Sequence, residues 1–232
     1  MNIWDGQSLR QPVYAPLAFD YDRAALEGEL LALVPQFRPI LINERSTLAE
    51  NRRRWFMVAD DEHYDHVDRH RDGVAVYGRH RSLEGLGLRR GPTGTTVDDS
   101  VTRRKPDDCA GWDWDLRYDA PLTRATIERL PFTRLRGVRL LSLPPGGFLP
   151  AHVDAPDDSY WTLGHATLSL LVAAGGQPML MLVDGTVRAV SDAAFLFRDC
   201  VPHGVAPVSG RRLLLRISGI CDQAALAAML QV

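Results

Sequence analysis

With 232 residues, 45% of them apolar and 24% charged, the chain has the composition of an ordinary soluble globular protein and is long enough to bury a core without disulfide staples. Its formal net charge of −2 excludes the strongly basic surface of a dedicated nucleic-acid or anionic-membrane binder. No apolar run approaches the roughly 18 residues that cross a bilayer, and the first residues carry neither a basic nor an apolar signal region. Cys109, Cys200 and Cys221 are widely spaced and form no CxxC pair, so the expectation is a cytoplasmic protein with reduced thiols.

No internal repeat or long low-complexity linker appears, which predicts a single domain over residues 1–232. Its composition changes near residue 120. Residues 1–120 are polar and rich in Arg, Asp and His, and read as a helical and loop portion that supplies a lid. Within it, residues 21–33 place Leu26, Leu30, Leu31 and Leu33 at mainly helical spacing, with Asp22 as N-cap. Residues 52–81 are dense in charge, the Arg52-Arg53-Arg54 run reading as a solvated helix face. Residues 83–108, rich in Gly, Thr, Arg and Asp, read as a long loop. Residues 121–130 then predict a short helix opened by Pro121, with Ile127 and Leu130 facing the core.

Residues 121–232 read as the jelly-roll core with a C-terminal helix. Short apolar segments at 138–143, 166–172, 178–183, 186–190, 194–197, 203–205 and 211–218 alternate with Pro, Gly and Asp turn signals, Asp184-Gly185 being a hairpin signal. Such spacing predicts a mainly β protein, a sandwich or jelly roll, and not parallel βαβ units. Residues 222–230, rich in Ala and Leu, predict a closing helix.

The chemistry concentrates in this half. His152-Val153-Asp154 follows the Pro144–Pro150 turn region, and in extended chain an imidazole and a carboxylate two residues apart point to one side. His203 comes 51 positions later, at the start of a strand. Two imidazoles and one carboxylate with open coordination positions form the facial triad suited to iron(II) oxygenases. An anionic co-substrate also needs an anchor, and Arg pairs bidentately with carboxylates. Arg212 and Arg216, an even number of residues apart, face one side of the strand that follows. Each piece alone also has a plainer reading. The histidines suit a surface loop and a strand, the arginines suit edge-strand charges, and Trp112, Trp114 and Trp161 suit core or rim as well as a pocket wall. The tripeptide is not specific by itself: His66-Val67-Asp68 repeats it in a charged stretch with no Pro-Gly turn leading into it and no compactly spaced distal His, and reads as a solvated face.

At these residues the chain resembles the Fe(II)/2-oxoglutarate-dependent dioxygenase superfamily, whose HxD…H triad sits on a double-stranded β-helix. Within it, the order of strand (Phe132 to Leu141), Pro145-Gly146 turn and His152-Val153-Asp154 is most similar to the aspartyl/asparaginyl β-hydroxylase branch, which includes free proline hydroxylases. The resemblance spans residues 130–218. It implies Fe(II) bound by His152, Asp154 and His203, with 2-oxoglutarate and O2 as co-substrates. It implies a co-substrate arginine at Arg212 or Arg216, Arg212 being favoured, and Arg216-Ile217-Ser218 also matches an RxS pattern that brings in Ser218. His165 stands near the place where relatives carry an arginine. The implied reaction is hydroxylation of an unactivated C–H bond of an amino acid that is free, peptidyl or carrier-bound, with succinate formed from 2-oxoglutarate. The implied partner is therefore that amino-acid substrate, with no nucleic acid and no membrane. The rival reading is a cupin-like metal-binding protein or isomerase that does not use 2-oxoglutarate.

Overall fold

The computed structural model describes residues 12–43, 64–67, 77–91, 109–152, 164–183, 185–198 and 201–230, with the side chains of 41–43, 64–67, 77–81 and 150–152 outside that description. The Arg52-Arg53-Arg54 run, residues 92–108, Trp161 and Cys200 also lie outside the described residues. Within them the strands are β1 (Tyr14–Pro16), β2 (Arg38–Asn43), β3 (Tyr64–Val67), β4 (Tyr77–Gly87), β5 (Arg89–Arg90), β6 (Asp113–Trp114) and β7 (Phe132–Leu143). They continue as β8 (Leu149–His152), β9 (His165–Ala174), β10 (Met179–Val183), β11 (Thr186–Val190), β12 (Ala194–Phe197), β13 (His203–Val205) and β14 (Arg212–Cys221). The helices are α1 (Arg23–Leu31), α2 (Pro121–Glu128) and α3 (Gln223–Met229).

Strands β7 to β14 form a jelly roll. One sheet runs β12-β9-β14-β7 and the facing sheet β11-β10-β13-β8, every pairing antiparallel. The chain changes sheet at nearly every step, which is how this architecture closes two sheets over one interior. The protein is thus mainly β with flanking helices, as its turn spacing predicts.

The first half departs from its expected helix-and-loop character. β4 pairs with β7, β2 and β3 pair with β4, and β1 pairs with β12, so the larger sheet grows to eight strands. Residues 83–87 and 89–90, expected in a long loop, are strand. Their glycines misled because they serve close approach: a Cβ at Gly85 would fall 1.9 Å from the Leu140 carbonyl oxygen on the paired strand. His66 of the second HVD tripeptide likewise lies in a strand, β3, and Asp68 is outside the described residues.

Helix ends follow ordinary capping chemistry. The Asp22 carboxylate accepts from the Ala25 N–H at 2.9 Å, and Asp222 accepts from Ala225 at 2.9 Å. α2 lacks a cap of its own, so Glu29 of α1 reaches across and accepts from the N–H groups of Leu122 and Thr123, each at 2.8 Å. The Tyr21 hydroxyl donates to the Ala193 carbonyl at 2.7 Å and pins the start of α1 to the sheet.

Side-chain parity then divides the larger sheet. Leu168, Leu170, Leu213, Leu215 and Ile217 pack outward with Leu26 and Leu30 of α1, Ile127 of α2 and Leu226 of α3. Leu171, Phe195, Phe197 and Leu214 point into the roll, where Met179, Met181 and Val205 of the facing sheet meet them. Among the described residues no helix is long and apolar enough to cross a membrane.

Candidate active site

The Pro144-Pro145-Gly146-Gly147 turn carries the chain from β7 into β8. The Gly147 N–H donates to the Pro144 carbonyl at 2.8 Å, a Cβ at 147 would lie 2.8 Å from that same oxygen, and the Gly146 N–H donates to Val208 at 2.8 Å. The turn is thereby tied to the connection between β13 and β14. It sets β8 beside β13 in antiparallel register, with His152 directly opposite His203. Directly opposed positions of an antiparallel pair share one face of a sheet. The two histidines are 51 residues apart in sequence and neighbours across the ladder.

The His203 imidazole is 3% exposed, and its Nδ1 lies 2.9 Å from the Val201 carbonyl oxygen. A carbonyl only accepts, so Nδ1 carries a proton and donates it to Val201. This is the arrangement that orients a metal-ligating histidine and fixes its tautomer. The Phe197 ring meets the imidazole edge-on at 4.9 Å between centroids. The side chain of His152 and all of Asp154 lie outside the described residues, and no cluster of three metal-ligating side chains occurs within them. The donors that are described, the His203 imidazole and a second histidine position opposite it, are of the type a divalent first-row metal takes.

Between the sheets lies a pocket of about 640 Å³, mouth included, whose lining includes His203, Phe197, Met179, Leu141, Leu214 and three arginines, Arg139, Arg212 and Arg216. No described lining residue is acidic. Arg212, at the start of β14, is 3% exposed; its Nη1 donates to the Gln177 carbonyl at 2.7 Å and to Ala174 at 3.2 Å. Its buried Nη2 has no hydrogen-bond partner among the described residues. Burial pushes this guanidinium down to about 10, so it remains a cation at neutral pH. The Ala174-Gly175-Gly176 turn closes tightly over it: a Cβ at Gly175 would approach the Arg212 Cβ and backbone nitrogen to 3.1 Å.

Arg216, half-buried, lays its guanidinium over the Phe197 ring at 5.2 Å, which puts one aromatic ring between it and His203. Ser218 and His165 lie farther along the same inward face, opposite Thr167 and Ile220 respectively, and are not among the residues lining the pocket. Trp112 is buried, with the Arg136 guanidinium 5.8 Å from its ring centroid, and Trp114 is half-buried against the outer core between Arg89 and Arg124. Neither lines the pocket. Sequence reasoning missed Arg139. Its signal was parity: it is the one charge in the run 138–143, on the same side as Leu141 and Leu143.

No protein-family model matches the chain, and no curated protein matches it. Solved structures similar to it include a Pseudomonas putida prolyl-4-hydroxylase, 23% identical over 43% of this chain and 60% of that one, with a TM-score of 0.31. A Trichoplax adhaerens prolyl hydroxylase in complex with a hypoxia-inducible-factor oxygen degradation domain peptide is 14% identical over 90% of this chain and 94% of that one, with a TM-score of 0.37. An RmlC-like cupin protein from Desulfovibrio desulfuricans is 17% identical over 35% and 70%, with a TM-score of 0.25. The match spans 60% of the Pseudomonas protein and 51% of the non-heme monooxygenase ThoJ, less than two thirds of either. The jelly-roll assignment rests on the strand order described above.

Proposed function

We propose that this protein is a non-haem Fe(II)/2-oxoglutarate-dependent oxygenase that hydroxylates an unactivated C–H bond of an amino acid. The observation that carries the reading is the register of His152 against His203, with the His203 Nδ1–H committed to Val201, at the edge of a pocket that holds the buried Arg212 cation. Asp154, two residues beyond His152, is the proposed third ligand. When bound, iron(II) supplies the dioxygen chemistry that couples decarboxylation of 2-oxoglutarate to substrate hydroxylation.

The chain's own residues hold and orient. His203 presents Nε2 as a ligand in a fixed tautomer. Arg212, already desolvated and with Nη2 to spare, receives the distal carboxylate of 2-oxoglutarate in a charge-assisted pair. The apolar walls of Leu141, Leu214, Met179 and Phe197 exclude water around the reacting groups. The order of strand, Pro145-Gly146 turn and His152-Val153-Asp154 supports placement in the aspartyl/asparaginyl β-hydroxylase branch, with a small-molecule or peptidyl amino acid as substrate; the reduced-thiol reading of its widely spaced cysteines supports the cytoplasm as its compartment.

The test is anaerobic addition of iron(II) and 2-oxoglutarate to the purified protein, followed through the weak visible charge-transfer band of the chelate. Wild type is expected to develop the band, His203→Ala to lose it, and Arg212→Met to need roughly a hundredfold more 2-oxoglutarate, about 2.7 kcal/mol. Iron bound without any band at saturating 2-oxoglutarate would sink the reading in favour of a cupin-like metal protein.

A further inference from the structure

Arg212 is held by a turn as well as by its own strand. The connection from β9 to β10 folds so that the Ala174 and Gln177 carbonyl oxygens both accept from Nη1, at 3.2 and 2.7 Å. A guanidinium Nη carries two N–H groups, so Nη1 is fully committed and the planar fork is fixed in rotation. The Ala174 oxygen also accepts from the Gln177 N–H at 3.4 Å, which closes the turn on itself. Nη2 is left buried and without a hydrogen-bond partner among the described residues, on a side chain that lines the pocket.

That turn is in turn clamped by a second one, the connection from β13 to β14. The Gly175 carbonyl accepts from the N–H groups of Ser209 and Gly210 at 2.9 and 3.2 Å, and from the Ser209 hydroxyl at 3.3 Å. The loop that leads into Arg212 therefore also grips the turn whose carbonyls hold its guanidinium. The crossing has no room for a side chain. Gly175 has φ +63°, and a Cβ on it would lie 2.7 Å from the Gly210 carbonyl oxygen and 3.1 Å from both the Cβ and the nitrogen of Arg212. These obstacles are backbone or close to it, so a side chain at 175 forces the two turns apart and draws the carbonyls of 174 and 177 off Arg212.

We infer that Gly175 is a positioning residue for 2-oxoglutarate: it lets the two turns interlock and so fixes the Arg212 guanidinium that receives the distal carboxylate. It acts through Arg212, since Gly175 itself is not among the residues lining the pocket. The inference rests on the proposed oxygenase reading. Gly185, in the β10–β11 turn, supplies the contrast. Its φ is +74° but a Cβ there would meet nothing within 4 Å. Alanine at either glycine strains the backbone alike, and only at 175 does it part the turns.

The test titrates 2-oxoglutarate anaerobically into iron(II)-loaded protein and reads the charge-transfer band, with iron(II) affinity and the thermal midpoint measured beside it. Gly175→Ala is expected to need roughly tenfold or more 2-oxoglutarate for half of the band, at unchanged iron(II) affinity. Gly185→Ala is expected to lower the thermal midpoint and leave the titration at its wild-type position. Should Gly175→Ala fail to fold, Gly175→Asn places the same Cβ on a residue that tolerates positive φ, and the same loss is expected. In an Arg212→Met background Gly175→Ala is expected to have no further effect, because the group it positions is gone. Wild-type affinity in the variant, an equal loss in Gly185→Ala, a matching loss of iron(II) affinity, or a full additional loss on top of Arg212→Met would each overturn the inference. A wild-type protein that binds iron(II) and shows no band is a different result: it removes the oxygenase reading, and this inference with it.

Discussion

The two faces of the larger sheet are built from the same strands to opposite ends. On β14, Leu213, Leu215 and Ile217 are fully buried under the helices, while Arg212, Leu214 and Arg216, interleaved with them, face the pocket. On β9, Leu168 and Leu170 pack outward and Ser169 and Leu171 point inward. Alternation of side chains along a strand lets one segment anchor the fold and furnish the site at once. Both faces remove apolar surface from water, the outer one beneath the helices and the inner one between the sheets. The inner face leaves the Arg212 Nη2 and the Ser169 Oγ without a hydrogen-bond partner among the described residues, which costs stability.

Substitutions on the two faces should separate these roles. Leu215→Ala removes a side chain with 0% exposure from beneath the helices and is expected to cost about 2–5 kcal/mol in urea unfolding. The remaining folded fraction should bind 2-oxoglutarate normally. Three residues away, Arg212→Met replaces a buried cation with an apolar side chain of similar length. Unfolding free energy is expected to stay level or rise, by up to about 3 kcal/mol, even as ligand binding fails. A large loss of stability in Arg212→Met would break the contrast, making that arginine part of the scaffold. The smallest effect belongs away from both faces: Asp22→Ala removes the α1 cap and is expected to cost about 1 kcal/mol. Its check is a lowered midpoint of thermal unfolding with the charge-transfer band intact.

Much of this organisation is legible in the sequence where local chemistry decides it. Asp22 and Asp222 announce helix starts because a carboxylate next to a helical run has one obvious backbone partner. The strands 186–190, 194–197 and 203–205 are bounded by turn residues and emerge with those limits. Where the partner strand decides, local reading fails. β4 carries Gly78, Gly85 and Gly87 among charged residues, so it resembles a loop until the backbone of β7 lies against it. β14 runs on to Cys221, past the predicted end, because Gly219 is required by contact: a Cβ there would sit 2.3 Å from the Arg134 carbonyl oxygen.

The site divides in the same way. The spacing of His152 and His203 and the parity of Arg212 with Arg216 can be read from residue order. The convergence of His203, Arg212 and Arg216 on one pocket depends on two sheets closing face to face, and the same closure turns Arg139 from an alternating polar residue into a wall of that pocket. The Val201 carbonyl that sets the His203 tautomer has no sequence signature, since every residue carries one.

The pairing of β1 with β12 bears on how the chain reaches this state. Tyr14, Ala15 and Pro16 lie in register with Phe197, Leu196 and Phe195, so this strand waits for a partner made far later in the chain. β14, which joins β7 to β9 at the centre of the sheet, is made later still. Closing such distant pairs loses chain entropy before contacts return it, which makes folding slow. Until β14 arrives, β7 and β9 each present an open edge, so the nascent chain depends on being shielded from its neighbours in that interval.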